Sequence, residues 1–248
     1  MVDTKLEDII NFSCGIGRSF GEADLALKEA KLHKELGDGQ RIVVYSGDAQ
    51  PDVKIESGAR DYLEALEFIK RNDTTGEITQ KQIGLTLEPR TGLLNKLGYE
   101  VKLLELEALG ITQGYYVLFD GDGMKDLNDK IGRTYVDNLI AQAGQGLKAS
   151  IRTGLDRRHS QENVDYLRRL PGDRRNQPPV KDKNIPDVAT DLVGHRVNHD
   201  AGDEFLVYVP LPKNDIGIDS MRVLARRVMG NMSKYQIQYL QGTLAGSR

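Results

Sequence analysis

Residues 115–119, YYVLF, form an apolar run without a single charge. A strand with one wet face alternates polar and apolar residues, so an unbroken run of this kind reads as a buried strand. It runs straight into Asp120-Gly121-Asp122-Gly123, whose residue types read as a turn. A buried strand that delivers carboxylates at its end is the tightest constraint the sequence carries. Other elements gather around it. The pattern predicts a strand over 8–14, broken by Gly15 and Gly17, and a helix over 22–36 ended by Gly37 and Gly39. A second strand is predicted over 41–45, a polar loop over 46–58, a helix over 59–71 and a polar linker over 72–80. A long amphipathic helix is predicted over 92–109 and another helix over 134–152. Strands follow at 192–197 and 204–209 around the turn HDAGD, then a helix at about 216–231. The alternation in YQIQY, 235–239, predicts an edge strand. Residues 155–190 lose periodicity and collect Pro171, Pro178, Pro179 and Pro186, which reads as a long irregular insertion.

Composition removes several classes. With 248 residues the chain suits one large domain or two small ones. The net charge of −3 argues against a strongly basic nucleic-acid binder. The insertion, with eight Lys or Arg against six Asp or Glu and one Tyr, offers no stacking platform either. Cys14 is the sole cysteine, so neither an intrachain disulfide nor a cysteine zinc site can form. No apolar run approaches the ~20 residues that span a bilayer. The first residues, MVDTKLEDIINF, lack the basic-then-apolar order of a signal peptide, so a cytoplasmic, non-membrane protein is expected. His195 and His199 are four apart, but on a strand and turn that spacing gives no shared face, and a metal role for them is set aside.

A second acidic pair, Asp203-Glu204, falls at the tip of the predicted hairpin. Carboxylates at the ends of adjacent strands can converge on a hard divalent cation, Mg²⁺ held jointly with a nucleotide's phosphates. Two such ions can clamp the attacking and leaving oxygens of a phosphoryl or nucleotidyl transfer. On residue types alone, ordinary turn chemistry explains both pairs equally and is the commoner case.

Three motifs in order separate these alternatives. FDGDGMKDLND, 119–129, resembles the strand-and-turn signature of GGDEF domains, the diguanylate cyclases. AGDEF, 201–205, resembles the family's namesake hairpin, and EPRTGLLNK, 88–96, resembles its opening motif DxLTGLxNR. The family's closing segment also has a counterpart, but at the front of this chain. NFSCGIG (11–17) is similar to its strand, ADLALKEAK (23–31) to its helix, and GQRIVVY (39–45) to its final turn and strand. The resemblance therefore implies a circularly permuted GGDEF domain. Residues 1–47 form the family's C-terminal part, 48–87 a connector with a helix, and 88–248 the family's N-terminal part with the insertion 155–190. The implied fold class is α+β: a palm-like sheet related to the ferredoxin-like βαββαβ unit, with helices packed on it.

The resemblance also implies an activity: condensation of two GTP molecules into cyclic di-GMP and pyrophosphate, dependent on Mg²⁺ or Mn²⁺. By motif position, Asp120 and Asp203 would hold the metal with the Gly121 carbonyl. Asp203 would help deprotonate the attacking hydroxyl, while Glu204 binds a second metal or supports the hairpin. Lys125 would meet the phosphates as a point charge, with the backbone N–H groups of Gly123 and Met124 cradling phosphate oxygens. Asn128 and Asp137 would read guanine, whose N1–H and amino protons a carboxylate accepts. Lys31 would reach the outer phosphates. The implied partners are GTP and a second copy of the chain, since joining two nucleotides needs two opposed sites.

Several positions depart from the family pattern. Ala201 replaces the hairpin's first Gly, Met124 a Phe, Arg133 a His, and Val136 a Gly. Gln40 stands for the Arg of the closing turn, with Arg41 one place on and Lys34 nearby as substitutes. These changes cluster on substrate binding rather than on the metal. Two other readings follow: a domain that binds GTP or cyclic di-GMP without turnover, and a related palm nucleotidyltransferase that makes another nucleotide signal.

Overall fold

A computed structural model describes residues 11–37, 40–45, 57–74, 76–151, 192–195, 202–210 and 218–246. The expected insertion, most of the 46–58 loop, His199 and Ala201 lie outside these residues. Five strands form one sheet: β1 (Asn11–Gly17), β2 (Ile42–Val44), β3 (Gly114–Asp122), β4 (Leu192–His195) and β5 (Glu204–Pro210). Their order is β2-β1-β3-β5-β4. Only β1 and β2 run parallel; the other neighbours are antiparallel. The run at 115–119 is thus the middle of the central strand, and all nine residues of β3 are buried.

Period-two alternation assigns the two faces. Tyr115, Val117 and Phe119 on β3, with Phe205, Val207 and Val209 on β5, enter one core. That core is closed by α6 (Arg133–Ser150) and α7 (Ile218–Gly246). Tyr116, Leu118, Leu206 and Tyr208 point the other way, toward α1 (Phe20–Leu36) and α4 (Lys96–Ala108). The chain is α+β, with a three-layer arrangement around one sheet. Two further helices, α2 (Ser57–Asn72) and α3 (Glu77–Gly84), fill the expected connector, and Ala59 of α2 packs on Val101 and Leu104 of α4. A short helix, α5 (Met124–Ile131), follows β3 directly. Among the described residues no helix is long and apolar enough to cross a membrane.

The structure corrects several sequence expectations. Gly15 and Gly17 do not break the first strand. They lie inside β1 because α1 presses on it: a Cβ at Gly15 would sit 2.2 Å from the Ala23 carbonyl oxygen. Asp120-Gly121-Asp122 is not a turn but the last stretch of β3, paired with Ser13, Phe12 and Asn11 of β1. Only Gly123, with φ 73°, turns the chain, and the helix α5 behind it went unpredicted because it is only eight residues long. The expected linker 72–80 ends in α3. The helix expected from 92 begins after Asn95, whose side chain accepts from the Gly98 N–H at 3.0 Å and caps α4. The expected edge strand at 235–239 is instead part of α7. Met232 and Gln236 continue its buried stripe, and Gln236 Nε2 donates to the Leu139 carbonyl of α6 at 3.0 Å. A partner helix decides what a five-residue alternation cannot.

The two long helices touch through Gly146, where a Cβ would lie 2.6 Å from the Asn231 carbonyl oxygen and 2.7 Å from Met232 Cα. In an exposed helix Gly→Ala gains about 1 kcal/mol, whereas overpacking a closed contact costs about 1–3 kcal/mol. The contact here is with backbone, which cannot swing aside. Gly146→Ala is therefore expected to lower stability by about 1–2 kcal/mol in urea unfolding. An increase in stability would show that α6 and α7 separate without cost.

Candidate active site

The acidic ends of β3 and β5 meet at one end of the sheet. The register sets Glu204 directly opposite Asp120, and the Gly121 N–H donates to the Asp203 carbonyl at 3.2 Å. Asp120, Gly121, Asp203 and Glu204 are therefore together. Residues from the first part of the chain join them. Ser19 caps α1 in a capping box with Glu22. Ala23, Ala26, Leu27 and Ala30 then lay the helix on the sheet. One further turn brings Lys31 Nζ to Asp120 Oδ1 at 2.9 Å and Lys34 Nζ to Asp122 Oδ1 at 3.3 Å. Arg41, just before β2, reaches Asp122 Oδ2 at 2.5 Å, and Ser13 Oγ donates to Asp122 Oδ1 at 2.9 Å.

The electrostatics of the two buried aspartates differ in their partners. Burial pushes the Asp120 carboxyl up to about 6. Lys31 counteracts this, and the nearby Asp203 and Glu204 charges add to it. Among the described residues no group of three or more His, Cys, Asp or Glu side chains gathers tightly enough to hold a metal ion. Mg²⁺, however, ordinarily takes one or two protein carboxylates and completes its shell with water and phosphate oxygens. Asp120 and Asp203 with the Gly121 carbonyl fit that requirement.

The remaining expected residues lie on α5 and α6. Gly123 is exposed and in the left-handed conformation that opens α5. The Met124 side chain is buried in the core, so only its backbone faces outward chemistry. Lys125 is exposed and Asn128 half-buried on the same short helix. Asp137, in the second turn of α6, accepts from Arg90 Nη1 at 2.9 Å, while Arg133 Nε lies 4.0 Å from its other oxygen.

Glu88 and Arg90 escaped the motif reading although they sit inside the quoted stretch 88–96. Glu88 is buried and accepts from the Thr91 N–H and hydroxyl, each at 2.7 Å, and from Arg90 Nε at 3.0 Å. Ser13 and its bond to Asp122 escaped likewise, because nothing local links positions 109 apart.

No family model matches the chain, and no curated protein matches it. Among solved structures, one match is the diguanylate cyclase SiaD in complex with its activator SiaC from Pseudomonas aeruginosa. The identity is 14%, the match covers 84% of this chain and 62% of that chain, and the TM-score is 0.34. The chain thus matches less than two thirds of that relative's length. At this identity and score the likeness fixes neither activity nor substrate.

Burial alone would raise the Glu88 carboxyl, but the bonds from Thr91 and Arg90 outweigh it and hold the group at about 2, against an ordinary 4.5. A folded value below the unfolded one means stability that is complete above about pH 4.5 and lost as pH falls toward 2. Glu88→Gln is expected to cost on the order of 2–3 kcal/mol at pH 7. Urea unfolding at pH 7, 5 and 3 should show the gap between wild type and variant narrowing at the lowest pH. A gap independent of pH would assign Glu88 to packing rather than charge.

Proposed function

We propose that the chain is a circularly permuted GGDEF-like domain that binds GTP and condenses two molecules of it into cyclic di-GMP and pyrophosphate. Residues 88–248 supply the family's first part, 48–87 the connector and 1–47 its last part. What supports the order is the sheet itself. Read from β3, the elements run strand, helices, two hairpin strands and helix, and β1 takes the place of the closing strand beside β3. That is the βαββαβ order with its last strand drawn from the front of the chain.

The observation that carries the functional reading is the pairing of Lys31 with Asp120 across 89 positions of sequence, 2.9 Å apart. A phosphate-binding cation from one motif and a metal-binding carboxylate from another are of no use to each other unless the two segments share a site. In the proposed reaction the 3′ hydroxyl of each GTP attacks the α-phosphate of the other, once for each of the two pyrophosphates released. The O3′–P bond forms, the bond to pyrophosphate breaks, and Asp203 accepts the hydroxyl proton. Lys125 and the N–H groups of Gly123 and Met124 steady the phosphates. Lys31, with Arg41 and Lys34, exchanges its carboxylate for the outer phosphates when nucleotide arrives. Asp120, Asp203 and the Gly121 carbonyl would hold Mg²⁺ or Mn²⁺, which supplies positive charge at the phosphates. Asn128 and Asp137 read the base.

One observation favours the second reading, a domain that binds nucleotide without turnover. Lys31 already pairs with Asp120, and Lys34 and Arg41 with Asp122, and each of these bonds must break before the cations serve a phosphate.

Incubation with Mg²⁺ and GTP, or ATP, followed by mass identification of products separates these readings. Cyclic di-GMP from GTP is expected, with Asp120→Asn and Asp203→Asn each reducing turnover by about a hundredfold while leaving the fold intact. Binding without any product would establish the second reading. A symmetric condensation also requires two sites opposed across a twofold axis. Turnover per subunit should therefore rise with protein concentration until it saturates. Constant turnover in a demonstrably monomeric sample would point to a product made on a single chain.

A further inference from the structure

We propose that Arg90 is a specificity-determining residue of the base subsite, donating to the acceptor edge of guanine while Asp137 accepts from its donor edge. This rests on the reading of Asp137 as a guanine contact. Arg90 stands where the motif DxLTGLxNR has Leu, so it is a feature of this chain rather than of the pattern. Its side chain is not a loose surface arginine. Nε donates to Glu88 Oε1 at 3.0 Å and Nη1 donates to Asp137 Oδ1 at 2.9 Å. Glu88 is itself fixed by three N–H or O–H donors from Thr91 and the Arg90 backbone.

The guanidinium also faces the hairpin. A Cβ at Gly202 would lie 3.3 Å from Nη2 and 3.7 Å from Nη1, so glycine there leaves the space that the planar group uses. Arg90 therefore sits between the base-reading carboxylate and the turn that carries Asp203. Both side chains remain open to a ligand, with Arg90 39% and Asp137 37% exposed.

The chemistry selects one purine. A guanidinium has five N–H donors, and its bonds to Glu88 and Asp137 employ one donor each. A carboxylate has about four acceptor positions, so Asp137 can keep Arg90 and still accept from a base. Guanine presents O6 as an acceptor beside N1–H and the 2-amino donors. That order matches Arg90 followed by the two Asp137 oxygens. Adenine sets its 6-amino donor against the guanidinium and has no proton on N1 for the carboxylate. Leucine at this position would add contact with either base but no discrimination between them.

Equilibrium binding of the α,β-methylene triphosphates of guanosine, 6-thioguanosine and adenosine, which cannot release pyrophosphate, tests this on the full chain with Mg²⁺. Sulfur at position 6 is the weaker acceptor. Wild type should prefer the guanosine compound over the 6-thio compound by about tenfold. Arg90→Leu should lose about tenfold in guanosine affinity and bind the two alike. Arg90→Lys, which keeps the charge but not the planar fork, should lower the same ratio and serves if the leucine variant does not fold. Guanosine affinity unchanged or raised in Arg90→Leu, or an unchanged ratio between the two compounds in the folded variants, would overturn the proposal while leaving the GTP site standing. Equal binding of the guanosine and adenosine compounds by wild type would overturn both the reading of Asp137 and the proposal.

Discussion

The antiparallel pairing of β1 with β3 is the contact on which the rest depends. Seven residue pairs, from Asn11 opposite Asp122 to Gly17 opposite Tyr116, fix the first segment of the chain against the central strand. A slip of one residue would turn every side chain to the wrong face. In the observed register Phe12, Cys14 and Ile16 enter the core with Val117 and Phe119, and Ser13 falls where it can bond Asp122. The helix that follows β1 has no choice of height. Gly15 and Gly17 remove the Cβ atoms that would hold it off, so α1 rests with backbone almost on backbone.

That close approach is what turns a sheet edge into a charged site. Asp122 is 7% exposed and receives Ser13, Lys34 and Arg41, all from the segment before residue 45. A buried carboxylate stripped of its cations costs several kcal/mol, about 3–5 when one partner of a buried pair is removed. The cluster therefore penalises any arrangement in which the first segment leaves the sheet. Asp120 is less well compensated, since Lys31, its close cation among the described residues, meets the opposing field of Asp203 and Glu204. The same end of the molecule thus holds one aspartate bonded three times to the first segment and one set against an acidic field.

Beside the hairpin turn a second chain of hydrogen bonds runs from Thr91 through Glu88 and Arg90 to Asp137. Each link holds the next in one orientation, which lowers the ordering cost a ligand would otherwise meet. The relay starts in the stretch before α4 and ends in α6, so it also ties two elements from opposite faces of the sheet at the end where the hairpin turns.

Much of this was legible in the residues. The uncharged run 115–119 located the central strand, and the spacing of Ala23, Leu25, Ala26, Ala30 and Leu36 located α1, although Leu25 and Leu36 face outward and Leu27 takes the buried place. The acidic pairs and Lys31 were legible as motif residues. Other features depended on distant partners. Gly15 and Gly17 look like breaks until a helix lies over them, and YQIQY looks like a strand until α6 bonds Gln236. Asp122 looks like a turn residue until Ser13, Lys34 and Arg41 converge on it. The sequence by itself determined most of the helices and strands whose one face is apolar, and which acidic residues fall at the strand ends. Only the tertiary structure decided how closely the layers approach and which cation meets which acid, because those depend on atoms brought together by long-range pairing and on no local pattern.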